Sequence, residues 1–305
     1  MSNALKDGFD AVFYFDSEGG GTKDFFENVG CDTTKIYQIL VSSVEDAQLK
    51  ILDTYNTIIE IKKENPEARF LCVLDSLGAL VAEKVLRDAD KGKVASEMGG
   101  RAKQTNNLMK ALTIPALQTD TSMIILNHVY DDPSAMYTNK IKNQGGGKGV
   151  QYMCSINIQC TRNLEKEEDK NADAYYGGTN LKFFTVKNRM ARPSLECEVY
   201  LDFKKGFTRQ LSALFDEAVR GGFITCPSQG YFCVPSSSEP EKKRRRSEIE
   251  NNVELWKTFL KDFDEWSQKD LQYSKLETID LEDDQVQENL DMLVNNEVEE
   301  EIVQE

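Results

Sequence analysis

The stretch AVFYFDSEGGGTKDFF, residues 11 to 26, joins a strand-like apolar run, three consecutive glycines and a helix-like segment. These are the parts of a phosphate-binding loop, in which backbone N–H groups at the start of a helix hold an anion. Such a loop ends in Gly-Lys-Ser or Gly-Lys-Thr, but here Thr22 precedes Lys23. The order of these residues excludes a P-loop at this position, and the stretch is interpreted as a strand, a turn and a helix.

Strand-like runs recur along the first half of the chain, with helical patterns between them. The runs are Ala11–Asp16, Ile36–Leu40, Phe70–Asp75 and Ser122–His128. One helical pattern opens with a capping box from Ser42 to Glu45, and another, residues 101 to 118, is expected to break late at Pro115. This alternation predicts an α/β fold whose mostly parallel central sheet has helices on both faces.

The second half of the chain has further β-rich runs and a polar loop, residues 130 to 149, that is too long to be a mere connector. The runs are Cys154–Thr161, Leu181–Lys187 and Glu196–Phe203. We expect a large α/β core over 1–207, the start of a small C-terminal α/β region at 208–235, a basic linker at 236–247, a helical segment at 248–276 and an acidic disordered tail at 277–305.

The composition is that of a globular protein with a sizeable core: 305 residues, 40% hydrophobic and 29% charged. No apolar run approaches the roughly 18 to 20 residues of a membrane helix, and no signal-peptide pattern is present, so we expect a cytoplasmic protein. The seven cysteines are expected to be reduced, with Cys72, Cys154 and Cys160 buried. Cys226 and Cys233 flank a turn, but no cluster of further ligands supports a metal site there.

The net charge of −15 is concentrated at one end of the chain. Residues 277 to 305 hold twelve acidic residues and no Lys or Arg, which leaves 37 positive and 40 negative charges on the other 276 residues. A nearly neutral body with an acidic tail is compatible with a nucleic-acid binder whose tail competes for the basic surface. A solvated tail that only aids solubility explains the same charges.

Polar residues follow three of the predicted strands, namely Asp16-Ser17-Glu18, Asp75-Ser76 and Asn127-His128. In parallel α/β sheets the functional site lies at the carboxyl ends of the strands. FLCVLDSLGAL, residues 70 to 80, has the form of a Walker B segment, in which Asp75 would hold magnesium. Glu18 could orient or deprotonate an attacking water, and His128, the single histidine, is either a catalyst or a structural residue.

Taken in this order, the segments FYFDSEGG, VLDSLGAL and ILNH resemble the RecA family of recombinases, most closely the UvsX-like recombinases of T4-type phages. The resemblance covers about residues 10 to 234 and implies a RecA-like ATPase core that uses ATP and Mg²⁺. It implies that Glu18 activates water, that Asp75 holds Mg²⁺ with Ser76 beside the water, and that His128 senses the γ-phosphate.

The same resemblance implies further contacts with ATP. It places Thr22 and Phe25 near the adenine base. VKNRMARP, residues 186 to 193, is similar to the paired basic residues of the family, so Lys187 and Arg189 would reach the ATP of the neighbouring subunit in a filament.

Two segments resemble the DNA-binding loops of the family, which implies single-stranded DNA and homologous duplex DNA as partners. The residues concerned are Met98, Arg101 and Lys103 in the first loop, and Lys140, Lys142, Gly146, Gly147 and Lys148 in the second. A glycine-rich loop with lysines suits single-stranded DNA on its own chemistry, because cations that follow the phosphate backbone dominate such binding. A merely mobile loop is the alternative. The run KKRRR at 242 to 246 is interpreted as linker charge.

The chain contains no G-x-x-x-x-G-K-[ST] sequence. In the family this Walker A motif precedes the strand that leads to Glu18, so we expect the P-loop, most of its helix and an oligomerisation segment to lie before Met1. The absence of the motif argues against ATP binding by this chain alone.

Three interpretations remain open. The favoured one is the C-terminal part of a split or truncated recombinase that promotes homologous pairing and strand exchange. The second is a fragment that associates with a separate P-loop-bearing part. The third is a non-catalytic filament or regulatory DNA-binding subunit that offers Lys187 and Arg189 to an intact recombinase. A hexameric helicase fits less well, because the basic pair and the glycines at 145 to 149 favour a recombinase.

Overall fold

The computed structural model describes residues 1–93, 100–130, 141–166, 176–192, 194–204, 206–208, 210–250 and 252–271. The chain divides into two compact units. The first, called the N-terminal unit, consists of Met1–Thr161 with Phe183–Arg189. The second, called the C-terminal unit, consists of Arg162–Lys182 with Met190–Glu305.

The N-terminal unit is built on a four-stranded parallel sheet in the order β2-β1-β3-β4. Its strands are β1 (Ala11–Asp16), β2 (Ile36–Leu40), β3 (Phe70–Asp75) and β4 (Ser122–Ile125). The other elements are α1 (Ser2–Lys6), α2 (Lys23–Asn28), α3 (Val44–Glu64), α4 (Glu83–Asp90), α5 (Gly100–Gln118), the short strands β5 (Val129–Tyr130) and β6 (Asn143–Gln144), and α6 (Lys148–Met153). The predicted parallel sheet flanked by helices is confirmed.

The two central strands, β1 and β3, are apolar up to their final aspartate because both faces of the sheet are covered. Side chains alternate between the faces. Phe15 and Leu74 pack in the cluster that includes residues of α3 and α5, whereas Val12 and Val73 pack in the cluster that includes residues of α1 and α2. The register of β1 against β3 sets Asp16 opposite Asp75, so the two strands end together.

The N-terminus of α3 corrects the predicted capping box by one residue. Ser43, not Ser42, is the N-cap, and its hydroxyl accepts the N–H of Asp46 at 3.0 Å. The carboxylate of Asp46 accepts the N–H of Ser42 at 2.9 Å. Glu45 instead accepts the N–H of Glu83 at 2.9 Å, at the start of α4. Ser42 and Ser43 are chemically equivalent as caps, so only the backbone direction at the helix start distinguishes them.

Helix α5 continues through Pro115 to Gln118, so the predicted late break is wrong. Proline removes one i to i−4 hydrogen bond, but it does not end a helix whose other bonds and packing are kept. Thr119 compensates at the C-terminus, since its N–H and hydroxyl donate to the carbonyl of Pro115 at 3.0 and 2.8 Å. Leu108 and Leu112 of the same helix are buried in the main core.

The C-terminal unit contains most of a second sheet, in the order β10-β9-β8-β7. Its strands are β7 (Ile156–Lys166), β8 (Tyr176–Asn188), β9 (Glu196–Asp202) and β10 (Gly206–Thr208), and both β7 and β8 extend into the N-terminal unit. The remaining elements are α7 (Gln210–Arg220), the hairpin β11 (Thr225–Ser228) and β12 (Tyr231–Cys233), α8 (Arg246–Glu250), α9 (Val253–Lys257) and α10 (Leu260–Leu271). Phe215, Trp256 and Phe263 lie in their shared core.

The basic run at 242 to 246, which we interpreted as linker charge, makes contacts within the C-terminal unit. Arg244 is only 8% exposed, and its backbone pairs with Phe232. The guanidinium of Arg245 stacks on Tyr231, 4.1 Å from the ring centroid. Arg246, the first residue of α8, forms an ion pair with Asp216 at 2.8 Å.

All seven cysteines are free thiols. Cys72 is buried as expected, whereas Cys154 is only half-buried and Cys160 is exposed. Its neighbour on β7, Gln159, is 7% exposed, which shows that the alternation along the strand turns the cysteine outward. Within the described ranges, no helix is long and apolar enough to span a membrane.

Candidate functional site

Three strand ends of the N-terminal sheet carry the residues predicted to be catalytic. β1 leads to Glu18, β3 ends at Asp75 and is followed by Ser76, and His128 follows β4. Because β1, β3 and β4 are neighbours and parallel, their carboxyl ends lie at the same edge of the sheet. These four residues form the group that we call the carboxyl-edge cluster.

Ser76 lies at the centre of the carboxyl-edge cluster and is 2% exposed. Its hydroxyl donates to Glu18 Oε1 at 2.5 Å and lies 3.4 Å from His128 Nε2. His128 Nε2 is 3.3 Å from the same Glu18 oxygen. The side chains of Glu18 and His128 are 43% and 52% exposed, so both remain accessible to water and to a ligand.

The backbone of Ser76 is held by a second serine. Ser17 Oγ donates to the carbonyl of Ser76 at 2.8 Å and accepts the N–H of Ser76 at 2.8 Å. The peptide bond between Asp75 and Ser76 is cis. Ser17 therefore joins the end of β1 to the end of β3 immediately beside Glu18.

Asp75 is held by Tyr14, a residue that sequence reasoning did not single out. The phenol of Tyr14 donates to Asp75 Oδ2 at 2.6 Å. Tyr14 is 4% exposed, and burial, followed by its hydrogen bond to Asp75, raises the pKa of its hydroxyl. The phenol is therefore protonated and donates at neutral pH, and the second oxygen of Asp75 has no hydrogen-bond partner among the described residues.

Asp16 organises the turn that leads to Glu18. Its two oxygens accept the N–H groups of Glu18, Gly19 and Gly21 at 3.0, 2.7 and 3.3 Å, and the side-chain amide of Gln38 at 2.9 Å. Burial alone would raise the pKa of Asp16, but the hydrogen bonds from Gly19, Glu18, Gln38 and Gly21 outweigh it and lower the pKa. The carboxylate stays ionised and fixes the direction in which the chain leaves β1.

His128 packs against the loop that follows β3. A Cβ atom on Gly78 would lie 2.6 Å from His128 Cγ, so only glycine leaves room for the imidazole. On this loop, Arg101 Nη2 donates to the carbonyls of Leu77 and Gly78 at 3.1 and 2.5 Å. Arg101, expected in the first DNA loop, thus has its guanidinium bonded to the backbone beside the carboxyl-edge cluster.

The end of β4 is bonded directly to the expected second DNA loop. Asn127 Nδ2 donates to the carbonyl of Gly145 at 2.8 Å, and the N–H of Gly145 donates to the carbonyl of His128 at 3.1 Å. These two hydrogen bonds join the segment after β4 directly to the glycine run at 145 to 147. Gly146 and Gly147 have φ angles of +84° and +77°, a region that favours glycine.

The residues expected to contact DNA differ in their exposure to solvent. Lys103 and Lys148 are exposed in the first turns of α5 and α6, whereas Lys142 is half-buried and its N–H donates to Gln159 at 2.8 Å. Met98 and Lys140 lie outside the described residues. The structure thus brings one exposed lysine, Lys148, next to the two left-handed glycines.

The basic pair predicted to contact ATP in a filament binds backbone of its own unit. Lys187 Nζ donates to the carbonyls of Gln151 and Tyr152 at 3.0 and 2.6 Å. Arg189 Nη2 donates to the carbonyl of Tyr152 at 3.0 Å. Both cations therefore cap the C-terminus of α6, where helix carbonyls attract positive charge.

The residues predicted to lie near adenine are at the start of α2. Thr22 is the N-cap, and its hydroxyl accepts the N–H of Phe25 at 3.2 Å. Phe25 is 54% exposed and contacts Phe26 with ring centroids 6.0 Å apart. An exposed aromatic ring on a capped helix is suited to stacking on a planar base.

The carboxyl-edge cluster fits a magnesium ion held together with phosphates. Mg²⁺ commonly takes one or two carboxylates from the protein and fills its octahedron with phosphate oxygens and water. Asp75 has one oxygen engaged by Tyr14 and one remaining, which meets that requirement. Among the residues that the structure describes, no group of three or more His, Cys, Asp and Glu could hold a metal ion without such a ligand.

Sequence reasoning missed Tyr14 altogether. It noted Asp16, Ser17 and Asn127 as polar residues at strand ends but did not predict their supporting hydrogen bonds, nor the observed role of Arg101. For Asp16 a signal was present, since an Asp followed by small residues and glycines is typical of a side chain that binds the next backbone N–H groups. Tyr14 had no such signal, because a tyrosine in an apolar strand is ordinary.

A family model and individual relatives all indicate similarity to RecA proteins. Residues 1–208 match the family model of the RecA N-terminal domain. The recombination and repair protein of Enterobacteria phage T4 is 27% identical over 98% of this chain and 74% of its own length. Protein RecA of Nocardioides is 24% identical over 84% of this chain and 67% of its own length. Protein RecA of Mycoplasma mobile is 24% identical over 81% of this chain and 69% of its own length.

Proposed function

This chain belongs to the RecA family, and on that premise we propose that it is a recombination and repair protein that binds single-stranded DNA and takes part in ATP hydrolysis. The observation that carries the proposal is the carboxyl-edge cluster, in which an exposed carboxylate, a hydroxyl and an imidazole lie within 3.4 Å of one another. Asp75 lies on the neighbouring strand end. A phage relative suggests the cytoplasm of a host cell as the place of action.

In the proposed reaction, Glu18 orients the attacking water and accepts its proton. Glu18 Oε1 is engaged by Ser76 and His128, and the second carboxylate oxygen has no partner among the described residues. This free oxygen is the one proposed to hold the water. Ser76 and His128 keep the carboxylate from rotating, which preserves the alignment that general-base catalysis requires.

Asp75 is the proposed ligand of Mg²⁺, which when bound neutralises charge on the phosphates. Tyr14 holds the Asp75 carboxylate in one orientation before any ligand arrives. Preorganisation of this kind lowers the cost of binding the metal–phosphate complex. Thr22 and Phe25 are the proposed base-side contacts, and Lys187 and Arg189 the proposed contacts to a neighbouring subunit's nucleotide.

For DNA, we propose contacts from Gly146, Gly147 and Lys148, with the lysines and Met98 of the two loops completing the surface. Support comes from the hydrogen bonds between Asn127, His128 and Gly145, which connect the β4 end to this glycine run. The same bonds provide a route by which the state of the nucleotide changes DNA affinity. We also propose that the chain forms filaments, either alone or together with another recombinase.

The test is ATP hydrolysis by the purified chain, with and without single-stranded DNA. We expect any DNA-stimulated rate to fall at least about 100-fold in Glu18→Gln, because the general base is lost while the shape is kept. Glu27→Gln, an exposed change on α2, is the matched control and should leave the rate unchanged. Hydrolysis that survives Glu18→Gln would contradict the assigned role.

A second outcome would favour the regulatory alternative. The chain has no Walker A sequence, so DNA binding without hydrolysis, together with incorporation into filaments of an intact recombinase, would identify a non-catalytic DNA-binding subunit. Fluorescence anisotropy with labelled single-stranded DNA measures the binding.

A further inference from the structure

The first half of strand β7 turns its polar side chains inward and its apolar side chains outward. Asn157 is half-buried and Gln159 is 7% exposed, whereas Ile156 and Ile158 are 45% and 55% exposed. Side chains alternate between the two faces of a strand, and a strand that covers a core normally turns its apolar residues inward. Buried amides are found where they have hydrogen-bond partners. The inverted pattern therefore indicates that these two amides have a role other than apolar packing.

Both amides contact the segment that leads into the glycine run at 145 to 147. This segment, residues 142 to 144, is called the loop stem. Gln159 Oε1 accepts the N–H of Lys142 at 2.8 Å, and Asn157 Nδ2 donates to Gln144 Oε1 at 3.2 Å. The contacts are two residues apart on both segments, which matches the period of extended chains lying side by side. We call Asn157 and Gln159 the amide clamp.

The amide clamp takes the place of a backbone ladder. Among the described residues, β7 pairs only with β8, and β6, which lies in the loop stem, pairs only with β5. Side chains thus connect β7 to the loop stem. Every residue except proline carries the same backbone N–H and C=O groups, so a ladder would tolerate most substitutions. The observed connection depends instead on two particular residues.

The loop stem is also held from its other side. Asn143 pairs with Tyr130 in the β5–β6 ladder, and the N–H of Gly145 donates to the carbonyl of His128 at 3.1 Å. The chain therefore enters the glycine run from a segment that is bonded both to β7 and to the continuation of β4. Lys148 follows the glycine run directly. A stem held in this way contradicts the alternative of a merely mobile loop for these residues.

The two contacts of the amide clamp differ in strength. The bond from Asn157 engages only the oxygen of Gln144, whose Nε2 is buried and has no hydrogen-bond partner among the described residues. A buried donor without a partner is unfavourable, so this bond offsets only part of the cost of burying the Gln144 amide. The bond from Lys142 to Gln159 is shorter and fixes the backbone itself. We therefore expect Gln159 to matter more than Asn157.

We propose that Asn157 and Gln159 are positioning residues for DNA binding, which preorganise the glycine run by holding the loop stem against β7. The inference rests on the proposed DNA contacts of Gly146, Gly147 and Lys148. Neither amide contacts DNA itself. A preorganised loop binds more tightly because it loses less conformational freedom on binding. Since amides are uncharged, the clamp changes DNA affinity without changing the dependence of binding on salt.

The first test is hydrogen–deuterium exchange of the full chain without DNA. Gln159→Leu removes the acceptor at similar volume, and we expect exchange at residues 142 to 145 to become at least about fivefold faster while exchange in β1 and β3 is unchanged. Asn157→Leu should have a smaller effect in the same direction. Gln159→Glu keeps an acceptor oxygen and should retain slow exchange. Ile158→Ala, on the exposed face of the same strand, is the matched control and should change nothing.

Two results of the exchange measurement would overturn the proposal. Unchanged exchange at the loop stem in Gln159→Leu would show that the clamp holds nothing. An equal acceleration in β1 and β3 would show that the residue serves only the general stability of the N-terminal unit.

The second test is fluorescence anisotropy with labelled single-stranded DNA over a series of salt concentrations. Gln159→Leu should weaken binding about three- to tenfold. The slope of log affinity against log salt should stay that of the unaltered chain, whereas Lys148→Ala should reduce it. A reduced slope in Gln159→Leu would mean that phosphate contacts are lost, which contradicts preorganisation.

The two tests separate this inference from the proposed function. Faster exchange with unchanged DNA affinity would refute the positioning role and leave the proposed function standing. If the unaltered chain binds no single-stranded DNA, the proposed function fails and the positioning role for DNA fails with it, whereas the exchange measurement still decides whether the clamp holds the loop stem.

Discussion

Tyr14 shows how much of the candidate site depends on single residues outside the motifs. Its phenol donates to Asp75, and its ring lies against the turn that follows Glu18, 5.1 Å from the ring of Phe26. One buried side chain therefore supports both the proposed magnesium ligand and the glycine turn. A phenylalanine in its place keeps the ring and removes only the donor.

Tyr14→Phe should lower the free energy of unfolding by about 1–2 kcal/mol at neutral pH, since a part-buried carboxylate oxygen loses its donor. Urea denaturation followed by far-UV circular dichroism measures the change. Folding raises the pKa of Tyr14 above its usual 10.0. The stabilisation by the neutral phenol is therefore fully present below pH 10, the pKa in the unfolded chain, and is lost as the pH rises from there through the higher pKa of the folded state. Tyr37→Phe, at an exposed position, is the control, and an equal loss in both variants would contradict the assignment.

The glycines after Glu18 are not equivalent at the residue scale. A Cβ on Gly21 would lie 2.5 Å from Tyr14 Cε1 and 2.9 Å from Phe26 Cζ, whereas a Cβ on Gly20 would meet nothing within 4 Å. The three consecutive glycines of the sequence thus include one that is required for packing. No pattern in the sequence distinguishes it from its neighbours.

Gly21→Ala should destabilise the chain by about 1–3 kcal/mol, because two aromatic rings must shift to admit the methyl group. Gly20→Ala should stay within about 0.5 kcal/mol of the parent, as at an ordinary surface position. Thermal unfolding of the two variants side by side provides the measurement. If both alanines were tolerated equally, the observed packing of Tyr14 against the turn would be wrong.

At the scale of elements, the bounds of the first three strands were predicted correctly, whereas later strand ends and helix ends were not. The fourth predicted strand, for example, ends at Ile125 and not at His128. β1, β2 and β3 begin and end at the predicted residues. For β1 and β3 the reason is that a central parallel strand is a continuous apolar run, which here ends at an aspartate. The start of α3 was one residue off, and α5 did not break at Pro115. Helix ends depend on which of several equivalent groups the backbone happens to reach, and packing of Leu108 and Leu112 outweighs one missing bond.

The proposed DNA loop is an element whose two ends are held differently. Gly145 is bonded to the end of β4, and α6, which follows, is capped by Lys187 and Arg189. The two cations are predicted from the resemblance to serve a nucleotide, yet here they hold helix carbonyls. An anion that drew them away would uncap the C-terminus of α6, the helix that begins at Lys148. In the proposed function, α6 thereby connects the nucleotide interface with DNA contact.

At the scale of the whole molecule, the uneven charge distribution bears on the proposed DNA binding. Twelve acidic residues lie between 277 and 305, while the rest of the chain is nearly neutral. We predict that such a tail competes with DNA phosphates for the same lysines and arginines, the alternative being a tail that only aids solubility. The competition weakens as salt screens it, over a Debye length of about 10 Å at 0.1 M.

Deletion of residues 277 to 305 should tighten binding of single-stranded DNA several-fold at low salt and have little effect near 0.5 M salt, where screening removes the competition. Fluorescence anisotropy with a labelled oligonucleotide at both salt concentrations measures it. A tail of the same length with Gln for Glu and Asn for Asp should behave like the deletion. Affinity that is unchanged by either variant would leave the tail as a solubilising segment only.

The sequence by itself determined the α/β class, the parallel strands and the family, because each is written in local patterns: apolar runs, glycine turns and short motifs such as VLDSLGAL. Glu18, Asp75, Ser76 and His128 could be named from those motifs. Their distances, the support from Tyr14, Asp16 and Ser17, the hydrogen bond between His128 and Gly145, and the bonds from Asn157 and Gln159 to the loop stem were decided by the tertiary structure. The reason is physical: these features depend on contacts between residues up to 61 positions apart, and strand order, not local sequence, brings such residues together.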